Sequence, residues 1–132
     1  MKALIKSLGL GLILSATGFA AHAGVVTCTG QYQGKYDFDM TAEIDNNYKI
    51  VSDIEIVVHA GLFSKTLTMT PSTQDIQPGS FIRVSGTGTD ATGTLTANFD
   101  NRSRHYIGSL DAQTRDRAAA HVPVECNIDQ HQ

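Results

Sequence analysis

Four acidic residues form the densest polar group of this sequence and could do chemistry together. Asp37 and Asp39 alternate with apolar residues in one stretch, and Asp53 and Glu55 do so in the next. If a three-residue turn at 45–47 joins two antiparallel strands, Asp39 faces Asp53 and Asp37 faces Glu55. Four carboxylates in one place could bind Ca²⁺, which takes oxygen ligands. The alternative is a solvated strand face with no cofactor, since a curved binding loop is missing.

A short basic segment is the second candidate site. It consists of Arg102, Arg104, His105 and Tyr106. Such a group could dock an anion or the acidic surface of a protein partner. The alternative interpretation is that these residues simply flank a turn.

The sequence predicts no catalytic residues. The histidines at 59, 105, 121 and 131 lack the close spacing of metal ligands. A Gly-x-Ser-x-Gly elbow and a phosphate-binding loop are both missing. We therefore expect a protein that is not an enzyme. The alternative is a small hydrolase assembled from scattered residues, because a Ser-His-Asp triad needs no proximity in sequence.

Residues 1–23 have the pattern of a cleavable signal peptide. Lys2 and Lys6 precede an apolar stretch, and small residues lead up to Ala23. The apolar stretch is too short to span a hydrocarbon core of ~30 Å. The pattern predicts a mature chain that starts at Gly24 and is periplasmic or extracellular. An uncleaved anchor helix is the alternative.

The charge balance argues against two kinds of partner. The full chain has a net charge of −3, and loss of Lys2 and Lys6 with the leader leaves a net charge of −5. Nucleic acids and anionic membranes attract basic surfaces. We therefore expect no nucleic-acid partner and no stable membrane association after cleavage.

The two cysteines lie near opposite ends of the mature chain. Cys28 and Cys126 predict a disulfide in an oxidising compartment. Two free thiols, or half of a metal site, are the alternatives. Because a disulfide needs Cα atoms within ~7 Å, the first and last strands must lie side by side or face each other.

Alternation of polar and apolar residues dominates the mature chain and predicts strands. A helix or helical turn is expected at 111–120, which has good helix formers and no β-branched run. A loop is expected at the polar segment 71–80. The predicted strands number eight and lie near 26–30, 36–44, 48–59, 63–70, 81–88, 92–100, 104–110 and 121–128.

These elements predict a single all-β domain at 24–132. It is either a small antiparallel eight-stranded barrel, which we favour, or a two-sheet sandwich. Bulky inward side chains would fill such a barrel and leave little cavity. They are Tyr36, Phe38, Tyr48, Phe63, Met69 and Phe99.

A filled barrel favours a non-catalytic binding module over an enzyme. It would present loops such as 71–80 and 100–104 to a protein partner, for instance as an inhibitor of a hydrolase. The third hypothesis, besides the small hydrolase, is a carrier of a small apolar ligand. That function requires an internal cavity of several hundred Å³.

Overall fold

A computed structural model of the chain describes residues 23–130. The predicted signal peptide lies outside these residues except for Ala23, and His131 lies outside them as well. Within 23–130 there is no helix long and apolar enough to cross a membrane.

The described chain forms a closed barrel of eight antiparallel strands. Each strand pairs with the next one in sequence, and the last pairs with the first. This confirms the predicted eight-stranded barrel over the sandwich. The strands are β1 (Gly24–Tyr32), β2 (Tyr36–Ile44), β3 (Ile54–Ala60), β4 (Phe63–Gln77), β5 (Phe81–Thr87), β6 (Ala91–Asp100), β7 (His105–Thr114) and β8 (Ala118–Gln130).

The disulfide closes the seam of the barrel, as predicted. Cys28 on β1 lies directly opposite Cys126 on β8, with their Cα atoms 4.0 Å apart. Both side chains face the interior and are 1% and 0% exposed. The bond therefore joins the two strands whose pairing turns an open sheet into a barrel.

The helix predicted at 111–120 is wrong. Strand β7 continues to Thr114, a turn occupies 115–117, and β8 begins at Ala118. The helix formers in this segment are overruled because their backbone groups complete ladders with β6 and β8. Tertiary pairing outweighs an intrinsic preference of a few tenths of a kcal/mol per residue.

The loop predicted at 71–80 is also wrong over most of its length. Strand β4 runs through it to Gln77, and a turn occupies only 78–80. Pro71 is accommodated where the β4–β5 register shifts between Pro71 and Thr73. Such a bulge lets a strand tolerate a residue without an N–H group.

The predicted register between β2 and β3 is wrong by four residues. Asp37 lies opposite His59, and Glu55 lies opposite Thr41. The physical reason is that 45–53 is a long connection and not a three-residue turn. The carboxylate Oδ1 of Asp45 accepts hydrogen bonds from two backbone N–H groups of this connection, at 2.8 and 3.0 Å.

The barrel has two different ends, which we call the closed end and the open end. The closed end carries the connection 45–53 and the turns at 78–80 and 101–104. Ile50 is buried there, and its N–H and C=O bond the side chain of Gln74 at 2.5 and 3.4 Å. The open end carries four short turns, at 33–35, 61–62, 88–90 and 115–117.

Tyr106 helps to seal the closed end. Its side chain is only 6% exposed, and its ring packs edge-on against Phe99 with centroids 5.1 Å apart. The hydroxyl oxygen accepts a hydrogen bond of 2.7 Å from the N–H of Gly79. The ring thus joins the core while its polar tip satisfies a backbone donor in the 78–80 turn.

We expect Tyr106→Phe to lower the free energy of unfolding by about 1 kcal/mol, because the N–H of Gly79 loses a part-buried acceptor. Urea titration followed by circular dichroism measures the change. Tyr32→Phe is the matched control, since no hydrogen bond to the Tyr32 hydroxyl occurs within residues 23–130. Equal stability of the two variants would contradict the role of the Tyr106 hydroxyl.

Candidate functional site

The part of the barrel interior next to the open end is hollow. A cavity of about 460 Å³ opens at the open end. This corrects the prediction that bulky residues fill the barrel. Its deep wall is apolar and consists of Phe38, Ile56, Leu67, Met69, Leu110 and Val122.

Two of the bulky residues that were predicted to fill the interior lie elsewhere. Phe63 is 81% exposed at the start of β4, although it lies on the same face of the strand as Leu67 and Met69. Tyr36 is half-buried at the rim. The β3–β4 hairpin extends past the barrel wall, and Leu62 at its tip is fully exposed.

A row of small residues leaves the space that forms the cavity. Gly86, Gly93, Ala112 and Ala119 are register partners across β5, β6, β7 and β8. No side chain larger than a methyl group projects inward from this row. The first two positions are already closed off, because Met69 approaches both of them. Ala112 and Ala119 therefore line the remaining space.

A bulge in β8 determines which residues face the cavity near the rim. Leu110 pairs with Val122, but Ala112 pairs with Ala119 and not with Ala120. His121 adopts a φ of 55°, and its N–H donates a 2.7 Å hydrogen bond to the Asp111 carboxylate. The extra residue reverses the alternation of β8.

The reversed alternation brings Arg117 to the cavity side. Thr114 and Arg117 lie opposite each other, two residues beyond the pair Ala112 and Ala119. The N–H of Thr114 donates a 2.7 Å hydrogen bond to the C=O of Arg117. The N–H of Arg117 donates to Thr114 Oγ1 at 3.1 Å. These bonds hold the turn, and both residues line the cavity.

The rim of the cavity is aromatic and cationic. Tyr32 and Tyr36 face each other across β1 and β2, with stacked rings 6.4 Å apart. Arg117 donates a 2.8 Å hydrogen bond from Nη1 to the Tyr36 hydroxyl oxygen. No carboxylate within residues 23–130 lies within ion-pair distance of Arg117. The guanidinium also lies over the Tyr36 ring, 5.6 Å from its centroid, so Tyr36 positions it through both the hydroxyl and the ring.

The four predicted calcium ligands lie on a different surface, the outer face of β2 and β3. Asp37 is opposite His59 and Asp39 is opposite Val57, so the carboxylates do not pair across the strands as expected. His59 Nε2 lies 3.7 Å from Asp39 Oδ2. Glu55 is opposite a threonine, and Asp53 precedes β3.

The described range 23–130 contains no group of three or more His, Cys, Asp or Glu side chains that could hold a metal ion. Calcium binding therefore stays a prediction from the sequence, and the geometry adds no support to it.

The four residues of the basic segment do not share one surface. Arg102 and Arg104 lie in the exposed turn at the closed end, where Arg104 has a φ of 68°. His105 is half-buried, and its Nδ1 hydrogen-bonds the side-chain oxygen of Asn127. Tyr106 belongs to the core. Partner binding by the two arginines remains a prediction.

The turn that carries these arginines is organised by Asp100. Hydrogen bonds from the side chain and the backbone of Ser103 lower the pKa of the Asp100 carboxyl from its usual 3.8. Because folding lowers the pKa of Asp100, the ionised carboxyl stabilises the turn fully at pH values above the pKa of the unfolded state. This stabilisation is lost as the pH falls through the pKa of the folded state.

Sequence reasoning missed the cavity and Arg117. The signal for the cavity lay in cross-strand neighbours, which become visible only once the register is known. The position of Arg117 depends on the bulge in β8, and the sequence pattern of β8 gives no sign of that bulge.

No known protein family, curated protein or solved structure matches this chain.

Proposed function

We propose that this protein is an exported, non-catalytic binding protein that holds a small apolar ligand in the cavity of its barrel. The cavity itself is the observation that carries the proposal. Its volume of about 460 Å³ lies within the range of small-molecule sites, which is ~300–1,000 Å³. Its deep wall is apolar, and a few polar groups surround the mouth, as is usual for such sites.

The cavity changes the ranking of the functions considered from the sequence. The sequence favours a protein-binding module on the premise that bulky side chains fill the barrel. One of the two loops that would contact a partner, 71–80, is mostly a strand. Binding of a protein partner, including the inhibition of a hydrolase, is therefore the second candidate. The observation in its favour is the exposed apolar pair Leu62 and Phe63.

The composition of the cavity supports a binding role without catalysis. Among the described residues that line it, none is His, Asp, Glu, Ser or Cys. These are the commonest nucleophiles, acids and bases of hydrolytic sites, and the hydroxyl groups of the lining belong to Tyr32, Tyr36, Thr92 and Thr114. Turnover of a simple ester that is lost on mutation of one histidine would favour the hydrolase instead.

Export is supported by two features. The N-terminal 23 residues have the composition of a signal peptide, and the disulfide is compatible with an oxidising compartment. We propose a periplasmic or extracellular location for the mature domain.

The test is direct binding of an uncharged apolar fluorophore, N-phenylnaphthylamine, to the mature protein. We expect a blue-shifted emission that saturates at one probe per protein, with displacement by an aliphatic alcohol. Saturating alcohol at a hundredfold excess over its Kd should raise the free energy of unfolding by about 2.7 kcal/mol. The absence of both effects, together with specific capture of a secreted protein, would favour the second candidate.

A further inference from the structure

We infer that the ligand is a single-chain amphiphile whose anionic head group is bound by Arg117, with its apolar tail in the cavity. This inference rests on the proposed function and specifies the ligand class for the same site. The shared chemistry of the head group is a carboxylate, sulfate or phosphate.

The first argument is the position of the guanidinium. Arg117 lines the cavity where the apolar wall meets solvent, and its backbone is fixed by the turn with Thr114. A ligand whose tail fills the apolar part therefore has its polar end beside this side chain. A charged head at the deep wall would be desolvated without a partner, which costs several kcal/mol.

The second argument is the number of unused donors. A guanidinium has five N–H donors, and within residues 23–130 only one side-chain hydrogen bond uses them, from Nη1 to the Tyr36 hydroxyl. That contact orients the group and leaves donors free. A planar guanidinium fits two oxygens of a carboxylate, sulfate or phosphate at once.

The third argument is the charge around the mouth. The turns of the open end carry Lys35, Arg115 and Arg117 against Asp90 and Asp116, a net charge of +1. The remainder of the chain after Gly24 then has a net charge of −6, given the total of −5. An anionic head group is thus attracted to the end of the barrel where the cavity opens, and repelled by the rest.

The experiment compares three ligands with the same tail: dodecanoate, dodecanol and dodecyltrimethylammonium. Each is titrated below its micellar concentration into the mature protein, and binding is measured by calorimetry. We expect dodecanoate to bind about tenfold more tightly than dodecanol, the difference that a charge-assisted hydrogen bond provides. Dodecyltrimethylammonium should bind more weakly than either.

Arg117→Gln should remove the preference for dodecanoate and leave the affinity for dodecanol unchanged, and Arg117→Lys should restore part of the preference. Arg115→Gln is the matched control, since it removes the same charge from the same turn but does not line the cavity. It should keep nearly the full preference.

The outcomes separate this inference from the proposed function. Equal binding of dodecanoate and dodecanol, or equal loss in the two glutamine variants, overturns the role of Arg117 while the apolar cavity stands. Tighter binding of dodecyltrimethylammonium overturns the anionic head group. If none of the three ligands binds, the proposed function fails as well.

Discussion

Replacement of both cysteines, Cys28→Ala with Cys126→Ala, should lower the free energy of unfolding by about 4 kcal/mol. The bond spans 98 residues, so it removes a large part of the conformational freedom of the unfolded chain. The chain-entropy model assigns a loop of this length about 4–5 kcal/mol. The free energy of unfolding of a typical native protein is about 5–15 kcal/mol, so this loss would be a large fraction of it.

The effect should be visible in chemical denaturation of the protein that comprises residues 24–132. The wild type should unfold at a much lower urea concentration when a reductant is present, whereas the double variant should be insensitive to it. The double variant still pairs β1 with β8 through backbone hydrogen bonds, so we expect a native barrel at low urea. Identical midpoints for the oxidised wild type and the double variant would contradict a stabilising role of the seam bond.

Ala119→Phe should reduce the affinity for the tail of an apolar ligand by roughly fiftyfold. Ala119 faces the cavity from β8 and is half-buried. A benzyl group there occupies space that the ligand needs. If it displaces three methylene groups of the tail, at ~0.8 kcal/mol each, the loss is about 2.4 kcal/mol. Calorimetry with dodecanol measures this loss without any contribution of the head group.

The control is the same change one residue further, Ala120→Phe. Ala120 is exposed and does not line the cavity at the open end, so its replacement should leave dodecanol binding unchanged. Thermal melting of unliganded Ala119→Phe should show a stability equal to or above that of the wild type, because the ring fills an empty space. Unaltered binding to a folded Ala119→Phe protein would show that the ligand lies elsewhere.

The parts of the fold that follow from local patterns were predictable. The alternation over Tyr36–Ile44 predicted β2 with its full length and its buried face. The cysteine pair predicted adjacency of the first and last strands, and the register places Cys28 opposite Cys126. These predictions hold because successive side chains of a strand point to opposite faces. The alternation of polar and apolar residues therefore shows which face of the strand is buried.

The errors came from segments whose neighbours in space overrule their local signals. Pro71 indicated a loop but lies at a bulge in a strand of fifteen residues. The segment after Leu110 has the composition of a helix but completes the barrel wall. A bulge or a ladder partner adds hydrogen bonds that intrinsic preference does not include.

The amino-acid sequence by itself determined the all-β class, the number of strands and the disulfide, and it carries the pattern that predicts export. Only the tertiary structure decided whether the barrel is hollow. The cavity lies beside Ala112 and Ala119, which the register of β7 and β8 places opposite each other. Arg117 reaches the mouth because the bulge at His121 reverses one strand's alternation. Both depend on contacts between strands, which no single strand's residues specify.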